Sequence, residues 1–145
     1  MRCKKGQVST ELMIIIGVIL VVFIPLIVAM YFKTSEINNS LQTSQAQLAV
    51  GRMANIANSM GNLGKGSYMR MEVYLPQNVQ SIYFNKFDSG GGEVVFVVRD
   101  SSGATSDVVE STHYPIAGPK IDNPTSGLAT FEITSDGTNV NVNKA

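Results

Sequence analysis

With 145 residues, 44% of them apolar, and a formal charge of zero, the chain has room for one small domain plus a helix. It lacks the basic excess that nucleic acid calls for. One cysteine, Cys3, excludes a disulfide framework, so a domain outside the cytoplasm would be held by packing alone.

The N-terminal stretch reads Lys4-Lys5-Gly6, then Gln7 to Glu11, then an apolar run from Leu12 to Phe32 without a single charge. Those 21 residues reach about 31 Å as a helix, the thickness of a bilayer's hydrocarbon core. Arg2, Lys4 and Lys5 precede the run and only Lys33 and Glu36 follow it closely. That asymmetry predicts a cytoplasmic N-terminus and an external C-terminal part. A secretory signal fits badly, because its apolar region is shorter, about 7–15 residues, and ends at a small-residue cleavage site. Glu11 is the anomaly: a carboxylate at the edge of a spanning helix is tolerated there and favoured by the helix dipole, and on its own it reads as an interfacial cap.

Lys4-Lys5-Gly6 followed by Gln7, Ser9, Glu11 and an aliphatic helix resembles the archaeal type IV pilin-like precursors with class III signal peptides. The resemblance is close over roughly the first 30 residues and loose beyond them. It implies recognition and cleavage at Lys4, Lys5, Gly6 and Gln7 by a membrane-embedded prepilin peptidase cutting after Gly6. Gln7 then becomes the first mature residue, Ser9 the third and Glu11 the fifth, and all three serve assembly. Bacterial type IV and tight-adherence pilins share the fifth-position Glu, but Gln7 and Leu12 depart from their patterns. Eleven basic residues less the three in the leader, against eleven acidic, leave the mature side chains at −3. The freed Gln7 amine would be a cation able to satisfy a neighbouring subunit's Glu11. Cyclisation of Gln7 would remove that charge and leave Glu11 to a backbone N–H.

Gly17 and Pro25 lie inside the run. Their ordinary reading is membrane-helix composition; the functional one is that Gly17 admits a close neighbour and Pro25 sets curvature in a bundle of subunits. Past Lys33 the helical period continues through Ile37, Leu41, Leu48, Ala49, Met53, Ile56, Met60 and Leu63. This predicts one long helix to about Gly61, amphipathic in its outer half, and ended by Gly61, Gly64 and Gly66.

Alternation at Met69, Met71, Val73 and Leu75 predicts a strand stopped by Pro76. Further strands are expected over Val79–Phe87, Val94–Arg99 and Thr105–Val109, with the doubly apolar Val94–Val98 at the centre of the sheet. A looser segment, His113–Thr125, carries three prolines. The chain closes in a hairpin that sets Ala129, Phe131 and Ile133 against Val140 and Val142 across Asp136-Gly137. Six strands in all are expected.

Catalytic signals are weak. His113 stands alone in a Thr-His-Tyr-Pro segment, and Asp100, Asp107, Asp122 and Asp136 sit in turn-like contexts without calcium-loop spacing. No nucleophile elbow, phosphate loop or zinc helix occurs. Tyr68, Tyr74, Tyr83, Phe84 and Phe87 are expected mainly in core and sheet-face packing, with room for an exposed ring at a contact. Asn38-Asn39-Ser40 makes Asn38 a candidate N-glycosylation acceptor.

The expected fold is α+β, a pilin-like lollipop. A long N-terminal helix, half membrane-spanning and half amphipathic, carries a small C-terminal antiparallel β-sheet or sandwich. Residues 1–6 form the leader, 7–32 the apolar assembly helix, 33–63 its amphipathic continuation and 67–145 the β-rich head. The resemblance implies a structural, non-enzymatic subunit of an adhesive cell-surface filament, without cofactor or metal. Its partners would be copies of itself, the prepilin peptidase, an assembly ATPase and a membrane platform protein. The precursor would sit in the cytoplasmic membrane and the product outside the cell. The alternatives are a permanently anchored extracellular binding domain and a minor pilin or pseudopilin. Mature protein beginning at Gln7, recovered in sheared filaments, separates these readings.

Overall fold

A computed structural model describes residues 4–145, with side chains from Thr10 onward except that of Ser35. Two compact units divide it, Met1–Asn38 and Asn39–Ala145. In chain order the elements are α1 (Lys4–Leu63), β1 (Tyr68–Leu75), β2 (Val79–Lys86), β3 (Gly92–Arg99), β4 (Thr105–Thr112), β5 (Ile116–Ala117), β6 (Ile121–Asp122), β7 (Gly127–Ser135) and β8 (Val140–Lys144). The layout is α+β, one long helix whose first part is apolar and a small region of two largely antiparallel sheets.

In the first unit the helix passes through Pro25 without a break. Just past the apolar run, Lys33 and Glu36 form an exposed ion pair at 2.8 Å, three residues apart on the helix surface. Thr34 Oγ1 donates to the Met30 carbonyl at 2.9 Å, a local bond of the kind that competes with the backbone ladder.

In the second unit the helix buries Ala46, Ala49, Val50, Met53, Ala54, Ala57 and Met60, each at most 5% exposed. Steps of one and three residues keep these on one stripe. The larger residues predicted for this stripe do not all belong to it. Ile37, Leu41, Leu48 and Leu63 are exposed and Ile56 is half-buried. At 3.6 residues per turn Leu41 and Leu48 fall on the side of the helix opposite Ala46 and Met53, so chain spacing alone merged two faces.

The helix ends at Leu63, within the glycine cluster expected to stop it. Gly64, with φ of +80°, donates its N–H to the Met60 carbonyl at 3.3 Å, a left-handed cap that satisfies one of the last helical carbonyls. Ser67 Oγ also donates to the carbonyls of Met60 and Gly64. Gly61 is interior to the helix and has another role: a Cβ there would lie 2.2 Å from Tyr114 Cδ2.

One sheet has the order β1-β7-β8-β5, antiparallel except for the two-residue parallel pairing of β5 with β8. The other has the order β4-β3-β2-β6 and is antiparallel throughout. Among the described residues eight strands therefore replace the expected six. The extra pair, β5 and β6, occupies the segment expected to be loose; at two residues each they are too short to leave an alternation in the sequence.

The hairpin and the central strand are where the sequence puts them. Asp136 Oδ1 accepts the N–H groups of Thr138 (2.8 Å) and Asn139 (2.6 Å) in the β7–β8 turn. Strand β3 lies between β2 and β4, with Val94, Phe96 and Val98 in the core and Val95 buried on the other face. Core side chains come from both sheets and from the helix stripe; Met71, Val73, Leu75, Phe131, Ile133 and Ile82 are among them. Met69, expected to alternate inward with these, is exposed.

Candidate functional site

The most distinctive surface is the first part of α1. From Leu12 to Phe32 every large apolar side chain is between 47% and 75% exposed. Apolar residues are exposed here all round the helix, which is the pattern of a segment meant for lipid or for other helices rather than for water. Thr10–Leu63 contains an apolar stretch long enough to cross a membrane by length and composition, near the N-terminus. Membrane association follows as the coarse expectation for this part of the chain.

Glu11 stands at the start of the apolar run. Its side chain is exposed and forms no ion pair or hydrogen bond among the described residues. Gly17 leaves open space where a Cβ would project, so nothing in the chain itself requires glycine there. Asn38 is exposed and lies within α1. The side chains of Lys4, Lys5, Gln7 and Ser9 lie outside the described ones, and Gly6, the expected scissile position, lies in the first turn of α1.

Outside the helix the candidate residues separate. Asp100 and Asp136 serve turns: Asp100 Oδ1 accepts from Ser102 N–H, Ser102 Oγ and Ala104 N–H at 2.6–3.0 Å. These bonds, the Ser102 hydroxyl first, hold the Asp100 carboxyl below the usual range, and backbone N–H groups from Asn139 and Thr138 do the same for Asp136. Asp107 and Asp122 do not sit in turns; they lie in β4 and β6, and Asp122 pairs with Lys120 at 2.9 Å. His113 is exposed, and its backbone N–H donates to Asn58 Oδ1 at 2.8 Å. Among the described residues no group of three or more His, Cys, Asp or Glu gathers to hold a metal ion.

The aromatic group is less buried than its place near two strands suggests. Tyr68, Tyr74 and Phe87 are exposed, Tyr83 is half-buried, and Phe84 packs part-buried against the core. The cause is the alternation itself: Tyr68 and Tyr74 share the outward face of β1 with Arg70 and Glu72.

Sequence reading missed one feature altogether. Six carboxamides, those of Asn39, Gln42, Gln77, Asn78, Gln80 and Asn123, gather round a cleft of about 430 Å³ in the second unit. They are scattered from residue 39 to residue 123, so no spacing announces them, and only the fold brings them together. Comparisons with protein-family models, curated proteins and solved structures return no match for this chain.

Proposed function

We propose that this chain is a structural subunit of an archaeal type IV pilus-like surface filament used for attachment. The observation that carries the reading is the exposed apolar helix of Leu12–Phe32 with, at its start, an exposed Glu11 whose side chain has no partner among the described residues. In this reading the precursor is inserted with its N-terminus in the cytoplasm and its second unit outside. A prepilin peptidase then cuts between Gly6 and Gln7. Subunits leave the lipid and pack helix against helix, with Gly17 admitting a close neighbour. The new amine of Gln7 in one subunit neutralises Glu11 of another and sets the axial step between them. An assembly ATPase and a membrane platform protein supply the work of extraction, because lipid tails are about as apolar as leucine and the transfer gains little by itself.

Permanent anchoring of an extracellular binding domain uses the same exposed helix, and one experiment separates the two. Cells are sheared, filaments are collected, and the subunit's N-terminus is read by intact mass and sequencing. The filament reading requires protein starting at Gln7 in the sheared fraction. Protein that still starts at Met1, or that stays entirely with the membrane, overturns it.

A further inference from the structure

The carboxamide cleft is framed by backbone. Arg99 N–H donates to the Asn78 carbonyl at 2.8 Å, and Asn123 N–H donates to the Gln80 carbonyl at 2.6 Å. Asn39 Nδ2 donates to Ser101 Oγ at 2.7 Å, which ties the helix to the β3–β4 turn across one rim. Asn78 Oδ1 is buried and has no hydrogen-bond partner among the described residues. An unsatisfied buried acceptor costs free energy, so the Asn78 side chain gains by turning toward any donor the cleft admits.

We propose that this cleft binds a neutral glycan through the vicinal hydroxyls of its hexose units. Each carboxamide offers a donor and an acceptor in one plane, and each sugar hydroxyl is likewise both donor and acceptor. The volume, about 430 Å³, lies in the range of small-molecule sites, and the cleft suits a short oligosaccharide. Charge selects against ions: among the described residues the only charged ones in the lining are Arg99 and Asp100, one of each sign. Asp100 is already engaged by Ser102 and Ala104 in its own turn. Among the described residues Val79 is the one apolar member of the lining and no aromatic ring lines the cleft, so a peptide's apolar side chains find no pocket. For the same reason no ring stacks on the sugar, and each site is weak, with Kd on the order of 1 mM. Attachment then comes from many identical sites along a polymer, whose linked binding multiplies a weak affinity. In this avidity, though not in the binding itself, the inference rests on the filament reading.

The test uses the full chain in detergent micelles, with the side-chain amide signals of Gln42, Gln77 and Gln80 followed by NMR. Maltotriose, mannotriose and cellotriose are titrated in turn, with inorganic phosphate and glycerol as controls. At least one trisaccharide should shift these signals with a millimolar Kd. Gln42→Ala and Gln77→Ala should each weaken it about tenfold, with the backbone spectrum unchanged. The proposal is overturned if no trisaccharide moves the signals up to tens of millimolar, if both variants bind as the parent does, or if phosphate or glycerol moves them equally. Filament yield is scored separately. Binding in micelles without filaments sinks only the filament reading, and filaments of normal yield without binding sink only this one.

Discussion

Replacing Gly61 with alanine separates two forces that usually act together in a helix. Alanine is the better helix former by about 1 kcal/mol, so an interior Gly→Ala change ordinarily stabilises. At Gly61 the new Cβ would sit 2.2 and 2.3 Å from Tyr114 Cδ2 and Cγ, whereas ordinary contact begins near 3.4 Å. The ring must therefore retreat by more than an ångström, and it is held on several sides. The Tyr114 hydroxyl donates to Asn62 Oδ1 at 3.0 Å, Thr112 Oγ1 donates to the Tyr114 carbonyl at 2.8 Å, and the neighbouring His113 N–H is bound to Asn58. Overpacking of about 1–3 kcal/mol plus a hydrogen bond of about 1 kcal/mol outweighs the propensity gain, for a net loss of about 2 kcal/mol. Gly51 is the internal control, because a Cβ there meets nothing within 4 Å. Gly51→Ala should gain about 0.5–1 kcal/mol. In a Tyr114→Ala background the clash is gone, and Gly61→Ala should become stabilising as well. Thermal unfolding of the full chain in micelles, followed by β-sheet circular dichroism, reads these as shifts of about 4 °C per kcal/mol. A midpoint raised by Gly61→Ala in the parent chain, or an equal penalty in both backgrounds, would refute the packing argument.

Phe131, fully buried where β7 meets the core, should lose about 3–5 kcal/mol on truncation to alanine, read as a shifted denaturation midpoint. The Asp136 turn should make the second unit acid-sensitive. Its carboxyl is held low by backbone N–H groups in the folded chain, so its contribution is present above the unfolded pKa and is lost as pH falls through the lower folded value. Asp136→Ala should therefore lower the melting midpoint at neutral pH, and the gap from the parent should narrow below about pH 4. For the proposed filament, Glu11→Gln should leave the mature mass at Gln7 and sharply reduce sheared filament. Normal filament yield from that variant would remove the role assigned to the acid.

Elements that rest on one local signal were legible. An uncharged apolar run, an Asp-Gly turn between alternating segments, and Val94–Val98 each identify their element from a few adjacent residues. Elements that depend on long-range choice were not. The helix stripe was legible in part: Ala49, Met53 and Met60 are buried as expected, but Ile37, Leu41, Leu48 and Leu63 are exposed and Ala46, Val50, Ala54 and Ala57 take the buried places, because apolar residues three and four apart in the chain drift round the helix onto a second face. Gly61 looked like a helix stop, yet its lack of a side chain serves Tyr114, more than fifty residues away in sequence. The carboxamide cleft left no trace because each of its members is, locally, an ordinary polar residue on a helix, a turn or, for Gln80, a strand.

In the proposed filament these physical terms also fix an order of events. The apolar part of α1 gains little on moving from lipid to a bundle, so the term that differs between the two surroundings is polar. At the membrane edge Glu11 keeps water and needs no partner. Inside a bundle it is an anion removed from water, and an uncompensated buried charge destabilises strongly, by about 3–5 kcal/mol when a partner is taken away. The compensating cation is the amine that cleavage after Gly6 creates. An unprocessed subunit would bring the acid without its partner, together with the cationic side chains of its leader. Processing must then precede assembly, and a chain blocked at Gly6 should accumulate in the membrane and stay out of filaments even when mature subunits are abundant.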